Sequence, residues 1–154
     1  MYSQTYGNVS FDKVIELLLK YINDFPDYEY KITVGSDSQN NQFGTKIVTV
    51  IAICRVGKGG IFFYDINNHK RITNLSYKIH KETEYSLNIA ARLAEELIKN
   101  NTPQEIEIHT DIGKNGETSK LISEIIGWIK SSGYNFKIKP DSYTSSTIAN
   151  KISK

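Results

Sequence analysis

Three acidic residues stand out because each lies close to an expected end of a regular element. Asp37 follows a predicted strand in the segment VGSDSQ, Asp111 follows another in HTDIG, and Glu82 lies early in a predicted helix. Clustered carboxylates repel one another and lose hydration, which a protein tolerates chiefly when a cation neutralises them. Oxygen ligands suit Mg²⁺ or Mn²⁺, and two such ions about 3.5–4 Å apart can activate water and stabilise the leaving oxygen of a phosphodiester. The three acids therefore predict metal-dependent phosphodiester hydrolysis, provided that the fold brings them together.

The helix that carries Glu82 also carries Glu84, and helical periodicity favours Glu82 as the functional acid. The apolar residues Ile89, Ala90 and Leu93 lie 7, 8 and 11 positions after Glu82, so its carboxylate continues the stripe that faces the sheet. Glu84 is displaced from that face by about 200°, at the ~100° per residue of an α-helix. We take Glu82 as the candidate and Glu84 as its alternative.

Each acid also has an ordinary structural interpretation. Asp37 stands among Ser, Asn and Gln residues that are typical of a turn, and Asp111 precedes Gly113 as a cap or turn residue would. Glu82 could be an acid in the first turn of its helix, where the helix dipole favours negative charge. Only the convergence of all three would favour the functional interpretation.

The elements that must position these acids follow from periodicity and turn residues. An apolar repeat of three and four residues predicts an amphipathic helix over 10–24. Alternating or β-branched runs predict five strands, and Gly-rich or polar segments, including 36–41, predict the turns between them. The strands are expected at 30–35, 46–56, 61–66, 105–109 and 136–139, and further helices at 81–99, 118–131 and 142–151.

This order, α-βββ-αβ-αβ-α, predicts an α/β fold with a five-stranded mixed sheet flanked by helices. Three consecutive strands form an antiparallel meander, and the two later strands need helical crossovers that make them parallel to a neighbour. Ligands collect beyond strand ends in such sheets. If the first and fourth strands are parallel neighbours, Asp37 and Asp111 converge.

Composition limits the classes of protein that this chain can belong to. It has 154 residues, a net charge of +2 and 23% charged residues, which fits one globular domain over 1–154 and excludes a charged disordered tail. The single cysteine, Cys54, cannot form an intramolecular disulfide, so we expect a reducing, cytoplasmic location. The longest apolar runs fall far short of the ~20 residues that span a bilayer, which argues against a membrane protein.

Positive charge is concentrated between Arg55 and Lys81, where six basic residues face a single acid. Such a segment could follow a phosphate backbone, with Tyr77 or Tyr85 stacking on a base. A solvated loop explains the same charges equally well. The candidate nucleic-acid contacts are Lys70, Arg71, Lys78 and Lys81.

The order of elements, with an acid after the first strand, one in the following helix and one after the fourth strand, resembles the ribonuclease-H-like fold. The segments VGSDSQ, IHTDIG and IKPDSY are similar to those of the YkuK-type bacterial group of that superfamily, over residues 32–154. The resemblance implies a nuclease site for one or two Mg²⁺ or Mn²⁺ ions at Asp37, Glu82 and Asp111. It implies as substrate an RNA, an RNA–DNA hybrid or a structured DNA.

Two features depart from that pattern. An extra helix precedes the first strand, and Asn150 stands where the resemblance places a fourth acid in the last helix. Asn150 can ligate a metal through its carbonyl oxygen without adding charge, so either Asp141 supplies the missing carboxylate or a second metal binds weakly.

The alternative function is a nucleic-acid-binding module that has kept the fold and lost turnover. A scaffold that binds no nucleic acid is a third possibility.

Overall fold

A seven-stranded mixed sheet forms the centre of the fold, with the strand order β2-β1-β5-β4-β3-β6-β7. The computed structural model describes residues 1–114, 116–139 and 141–142. The elements are β1 (Tyr2–Ser3), β2 (Gly7–Asn8), α1 (Phe11–Asn23), β3 (Tyr30–Asn41), β4 (Gly44–Arg55), β5 (Gly60–His69), α2 (Leu75–Lys99), β6 (Ile106–Gly113), a 3₁₀ helix (Glu117–Leu121), α3 (Ile122–Ser131) and β7 (Asn135–Lys139).

The predicted number of five strands is wrong because two short N-terminal strands extend the sheet. Strands β1 and β2 contain two residues each and pair antiparallel, and Tyr2 pairs with Tyr64 of β5. The ammonium group of Met1 donates to the Val9 carbonyl at 2.8 Å and lies 3.3 Å from an Asp65 carboxylate oxygen. Two residues are too few for an alternating pattern, so these strands are defined by tertiary contacts.

The pairing of the other five strands agrees with the prediction. Strands β3, β4 and β5 form the antiparallel meander. Strand β6 is parallel to β3, with Val34 opposite Ile108, and β7 is parallel to β6. The connections that contain α2 and α3 return the chain to the same end of the sheet, as parallel pairing requires. The first and fourth predicted strands are therefore parallel neighbours, which is the condition for Asp37 and Asp111 to converge.

Strand β3 is six residues longer than predicted, because the polar segment 36–41 continues the strand instead of forming a turn. The buried Ser36 hydroxyl hydrogen-bonds the hydroxyls of Thr49 at 2.9 Å and Ser86 at 2.8 Å, so its polar group is satisfied within the sheet. The chain reverses only at residues 42 and 43. Gly44 follows with φ 139°, a conformation that L side chains rarely adopt.

The helices begin at side-chain caps. The Ser10 hydroxyl accepts from the Lys13 amide at 3.1 Å, and α1 closely matches the predicted helix 10–24. Helix α2 begins six residues before the predicted start, where the Asn74 side chain accepts from the Tyr77 amide at 2.9 Å. Most of the predicted helix 142–151 lies outside the described residues.

The main apolar core lies between the three helices and one face of the sheet. It contains Leu18 of α1, Leu93 of α2 and Ile125 of α3, together with Val34 of β3 and Ile108 of β6. A smaller cluster on the other face joins β4 and β5, and Cys54 is half-buried.

Among the described residues, no helix is long and apolar enough to cross a membrane. The cytoplasmic location stays a prediction.

Candidate active site

Asp37 and Asp111 lie on β3 and β6, which are adjacent parallel strands. Both residues lie within their strands, whereas the sequence placed them just beyond the strand ends. The β6–β7 pairing is irregular between His109 and Gly113, which includes Asp111. Such irregularities change the direction of a side chain locally. Because β3 and β6 run parallel, both aspartates lie toward the same end of the sheet.

Glu82 reaches the same end of the sheet from α2. Its side chain is buried, with 7% exposure, and the Ser38 hydroxyl donates to Glu82 Oε2 at 3.2 Å. Burial raises the pKa of Glu82 well above its usual value, and the negative charges of Asp37 and Asp111 raise it further. The Ser38 hydrogen bond and the Lys78 charge oppose this rise. The three acids therefore form one electrostatic group, which we call the acidic rim.

Glu84, the alternative to Glu82, points elsewhere. It is exposed, and one of its carboxylate oxygens lies 3.5 Å from Lys81 Nζ. The structure thus brings Glu82, and not Glu84, to the two aspartates.

The three acids approach the rim from both faces of the sheet. The hydroxyls of Ser36 and Ser38 contact α2, which covers one face. Asp37 lies between these serines and pairs with Val48, so strand alternation directs its side chain to the opposite face. Asp111 is 38% exposed, and its Oδ1 lies 3.2 Å from Lys139 Nζ. The acidic rim therefore lies at the end of the sheet where its two faces meet.

The oxygen donors of the acidic rim are of the type that a hard divalent cation prefers, and they do not form a closed cage. Within the described chain, no group of three or more His, Cys, Asp or Glu residues is arranged to hold a metal ion. Glu82 and Asp111 nevertheless line one narrow cavity of about 10 Å³, together with Thr83 and Thr110. Mg²⁺ keeps several waters and needs only one or two carboxylates from the protein. An open carboxylate rim is compatible with that mode of binding.

Comparison with known proteins identifies the family of this chain. The sequence model of the family described as "Ribonuclease H-like" matches residues 13–154. The chain belongs to the ribonuclease-H-like family. It is 34% identical to "Uncharacterized protein YkuK" of Bacillus subtilis, an alignment that covers 99% of this chain and 96% of that protein. The expected membership of the YkuK-type group is thereby confirmed.

Two solved ribonuclease H structures are similar to this ribonuclease-H-like chain at low sequence identity. Ribonuclease H1 of the halophilic archaeon Halobacterium salinarum is 14% identical, with a TM-score of 0.44, and the match covers 79% of this chain and 96% of that one. The N-terminal ribonuclease H domain of a Mycobacterium tuberculosis protein is 11% identical, with a TM-score of 0.42, over 81% and 94% of the two chains.

The candidates for the fourth ligand of this ribonuclease-H-like chain are Asp141 and Asn150. Asp141 is exposed, and it follows β7 in a turn in which its amide donates to the Ile138 carbonyl at 2.8 Å. It borders a cavity of about 370 Å³ that also contacts His109 and Lys137. Asn150 lies outside the described residues. The roles of both residues stay predictions.

The four basic candidates divide into two groups. Lys78 and Lys81 are half-buried on the first turns of α2, and the charge of Lys78 acts on Glu82. Lys70 and Arg71 are exposed in the loop between β5 and α2. Lys78 therefore lies close to the acidic rim, whereas Lys81 Nζ lies 3.5 Å from Glu84. Lys70 and Arg71 lie at the end of the β3–β4 hairpin, where Arg71 Nη1 donates to the Asn41 carbonyl at 3.0 Å.

Arg55 belongs to the predicted basic segment but has a structural role. Its guanidinium group lies over the Tyr21 ring at 4.1 Å and the Phe25 ring at 4.6 Å from the centroids, and Nη2 donates to the Tyr21 carbonyl at 2.7 Å. Tyr85, one of the two residues predicted to stack on a base, forms a hydrogen bond within the protein. Its hydroxyl lies 2.7 Å from His69 Nε2. Tyr77, the other stacking candidate, is 53% exposed.

Sequence reasoning missed three residues that contribute to these surfaces. Ser38 lies in the segment 36–41 that predicts a turn, the sequence indicates no partner for Lys139, and Phe43 is a single aromatic residue between predicted strands. The partners of Ser38 and Lys139 are Glu82 and Asp111, which are distant in sequence, so only the tertiary fold identifies them. Phe43 alone carried a local signal, since an aromatic residue stands unexpectedly before Gly44 in a polar segment.

Proposed function

We propose that this chain is a divalent-metal-dependent nuclease that hydrolyses phosphodiester bonds in RNA, an RNA–DNA hybrid or a structured DNA. The observation that carries the proposal is the acidic rim, in which buried Glu82 lies within the electrostatic reach of two aspartates from adjacent parallel strands. A protein gains no folding stability from such a group, because burial and mutual repulsion both penalise its charge. A bound cation would remove that penalty.

In this proposal, Asp37, Glu82 and Asp111 hold Mg²⁺ or Mn²⁺. The metal, when bound, supplies an activated water and positive charge for the leaving oxygen. The Ser38 hydroxyl, 3.2 Å from Glu82 Oε2, fixes the orientation of that carboxylate. Because burial and the two neighbouring charges favour the protonated form of Glu82, metal binding releases this proton and strengthens as the pH rises.

Two lysines next to the rim have different effects on its charge. Lys78 favours the ionised form of Glu82 and is placed to approach a phosphate of the substrate. Lys139 forms an ion pair with Asp111 and so competes with a metal for that carboxylate. Binding of the metal at Asp111 requires this exposed ammonium group to turn away, which its 55% exposure allows.

The test is a cleavage assay on end-labelled RNA, RNA–DNA hybrid and branched DNA, with Mg²⁺, with Mn²⁺ or with EDTA. We expect metal-dependent cleavage that Asp37→Asn reduces by more than about 100-fold, since even loss of a residue that only supports a metal ligand costs 10–100-fold. Glu95→Gln is the matched control, because it removes an exposed carboxylate from the far end of α2. Equal cleavage by Asp37→Asn and wild type, with both proteins folded, would contradict the proposal.

The second candidate function is binding of nucleic acid without turnover. The ion pair between Lys139 and Asp111 favours it, since this lysine already neutralises one carboxylate of the rim. Asn150 in place of the expected fourth acid points the same way. Salt-dependent binding of these substrates, with no cleavage at any metal concentration, would select this function over hydrolysis.

A further inference from the structure

An exposed aromatic residue marks the end of the β3–β4 hairpin. Phe43 occupies the two-residue reversal between Asn41 and Gly44, and its side chain is 88% exposed. Single exposed apolar residues are common on protein surfaces. This one differs because the basic loop between β5 and α2 lies directly against the same reversal.

Hydrogen bonds join the hairpin to that loop. Asn40 Nδ2 donates to the Ile72 carbonyl at 3.1 Å, and the Ile72 amide donates to Thr45 Oγ1 at 2.8 Å. Arg71 Nη1 donates to the Asn41 carbonyl at 3.0 Å. Phe43 and the basic loop therefore form one fixed surface, which we call the tip–loop surface and define by Phe43, Lys70, Arg71 and Tyr77.

The tip–loop surface combines positive charge with exposed rings. Lys70, Arg71 and Tyr77 border an open cavity of about 470 Å³, and none of the described residues that line it is acidic. The phosphates of a nucleic acid can bind the positive charges of this surface, and the flat face of a base can stack on its aromatic rings. Because the bases inside a duplex are already stacked on one another, the face of an unpaired base is far more accessible to an aromatic side chain.

Helix α2 connects this surface with the acidic rim. Tyr77 lies five residues before Glu82, which corresponds to about 7.5 Å along the helix axis at ~1.5 Å per residue. Lys78, whose charge acts on Glu82, lies between them. A strand held at the tip–loop surface would thus continue toward the acidic rim.

We infer that Phe43 stacks on an unpaired base of the nucleic acid while Lys70 and Arg71 contact its phosphates, so that the protein binds strands with a single-stranded segment beside the cleavage point. This inference deepens the proposed function, because it narrows the substrate to nucleic acids with unpaired nucleotides. Base stacking on one ring contributes about 1–3 kcal/mol, so its loss corresponds to roughly 5–150-fold in affinity.

The test compares binding of fluorescein-labelled 12-nucleotide single strands, RNA and DNA, with binding of a blunt 12-base-pair duplex, in low salt with EDTA. We expect Phe43→Ala to weaken single-strand binding about tenfold and to leave duplex binding unchanged, while Phe43→Trp restores single-strand binding. Ile98→Ala is the matched control, since Ile98 is 66% exposed near the other end of α2. Lys70→Gln and Arg71→Gln should each weaken binding to every nucleic acid. Each should also reduce the slope of the logarithm of the binding constant against the logarithm of the salt concentration by about one.

Each result has a definite consequence for the two proposals. If Phe43→Ala binds single strands as wild type does, or weakens single-strand and duplex binding equally, the stacking role is wrong. Should wild type cleave duplex substrates with metal and bind no single strand, the inference fails and the nuclease proposal stands. If the Phe43→Ala loss is specific to single strands but no substrate is cleaved, the inference stands and hydrolysis fails. Absence of all binding contradicts both.

Discussion

Replacing Glu82 by glutamine should stabilise the protein at neutral and alkaline pH. Glu82 is buried, and its carboxylate is penalised by burial and by the charges of Asp37 and Asp111, so its pKa in the folded state is raised. An acid whose pKa is raised on folding stabilises the folded state below the unfolded pKa, and that stability is lost as the pH rises through the folded pKa. Glutamine keeps the shape and an oxygen that can accept from Ser38, and it carries no charge.

The expected size follows from the linkage between pKa and stability. Each unit by which a pKa is raised corresponds to about 1.4 kcal/mol of folding free energy above that pKa. One kcal/mol shifts the melting temperature of a domain of this size by about 2–4 °C. We therefore expect Glu82→Gln to raise the melting temperature in EDTA at pH 8, by about 2–4 °C for each kcal/mol of penalty that it removes, and the difference to shrink toward pH 4.

The assay is thermal unfolding followed by circular dichroism between pH 4 and pH 9 in EDTA. Glu84→Gln is the control, because it removes an exposed carboxylate two residues away and should change stability by less than about 0.5 kcal/mol at any pH. A lower melting temperature for Glu82→Gln across the whole pH range would refute the reasoning, since the carboxylate would then stabilise the fold. A rise in the melting temperature of Glu82→Gln that is the same at every pH would also refute the reasoning.

Three further predictions concern residues outside the carboxylate group. Lys139→Ala should tighten Mn²⁺ binding severalfold by removing the cation paired with Asp111, as measured by titration calorimetry; unchanged or weaker binding would mean that the lysine does not compete. Arg55→Ala should lower the melting temperature by several degrees and leave nucleic-acid affinity unchanged, because its guanidinium group is held among aromatic rings; a loss of affinity would show that it contacts the substrate. Gly44→Ala should destabilise the fold by about 1–3 kcal/mol in chemical denaturation, since alanine at φ 139° is strained and its Cβ would meet the His69 carbonyl; an unchanged midpoint would contradict this turn geometry.

Features set by local periodicity could be predicted from the sequence. The stripe containing Leu93 and Leu97 predicted α2, and the same periodicity placed Glu82 on the buried face, where the structure has it. Alternation and β-branched runs predicted the five longer strands, and the need for helical crossovers predicted that the two later strands are parallel to a neighbour. The structure shows that β3 and β6 form such a pair. These features depend on residues that are close in sequence or on general rules of chain connection.

Features set by distant contacts could not be predicted in this way. The segment 36–41 has the composition of a turn, yet it forms a strand because Ser36 finds hydroxyl partners in Thr49 and Ser86. Arg55 belongs to the segment in which positive charge is concentrated, yet the fold places its guanidinium group over Tyr21 of α1, which is 34 residues away. The composition of a segment does not reveal which distant residue will pair with its polar or charged side chains.

The most direct test of the central claim is the location of Mn²⁺ by anomalous diffraction in a crystal soaked with the ion at neutral pH. The account predicts an anomalous peak at the acidic rim, bonded to the carboxylates of Asp37, Glu82 and Asp111. A saturating soak that leaves this rim without a peak, or that places Mn²⁺ only at other surface carboxylates, would contradict it.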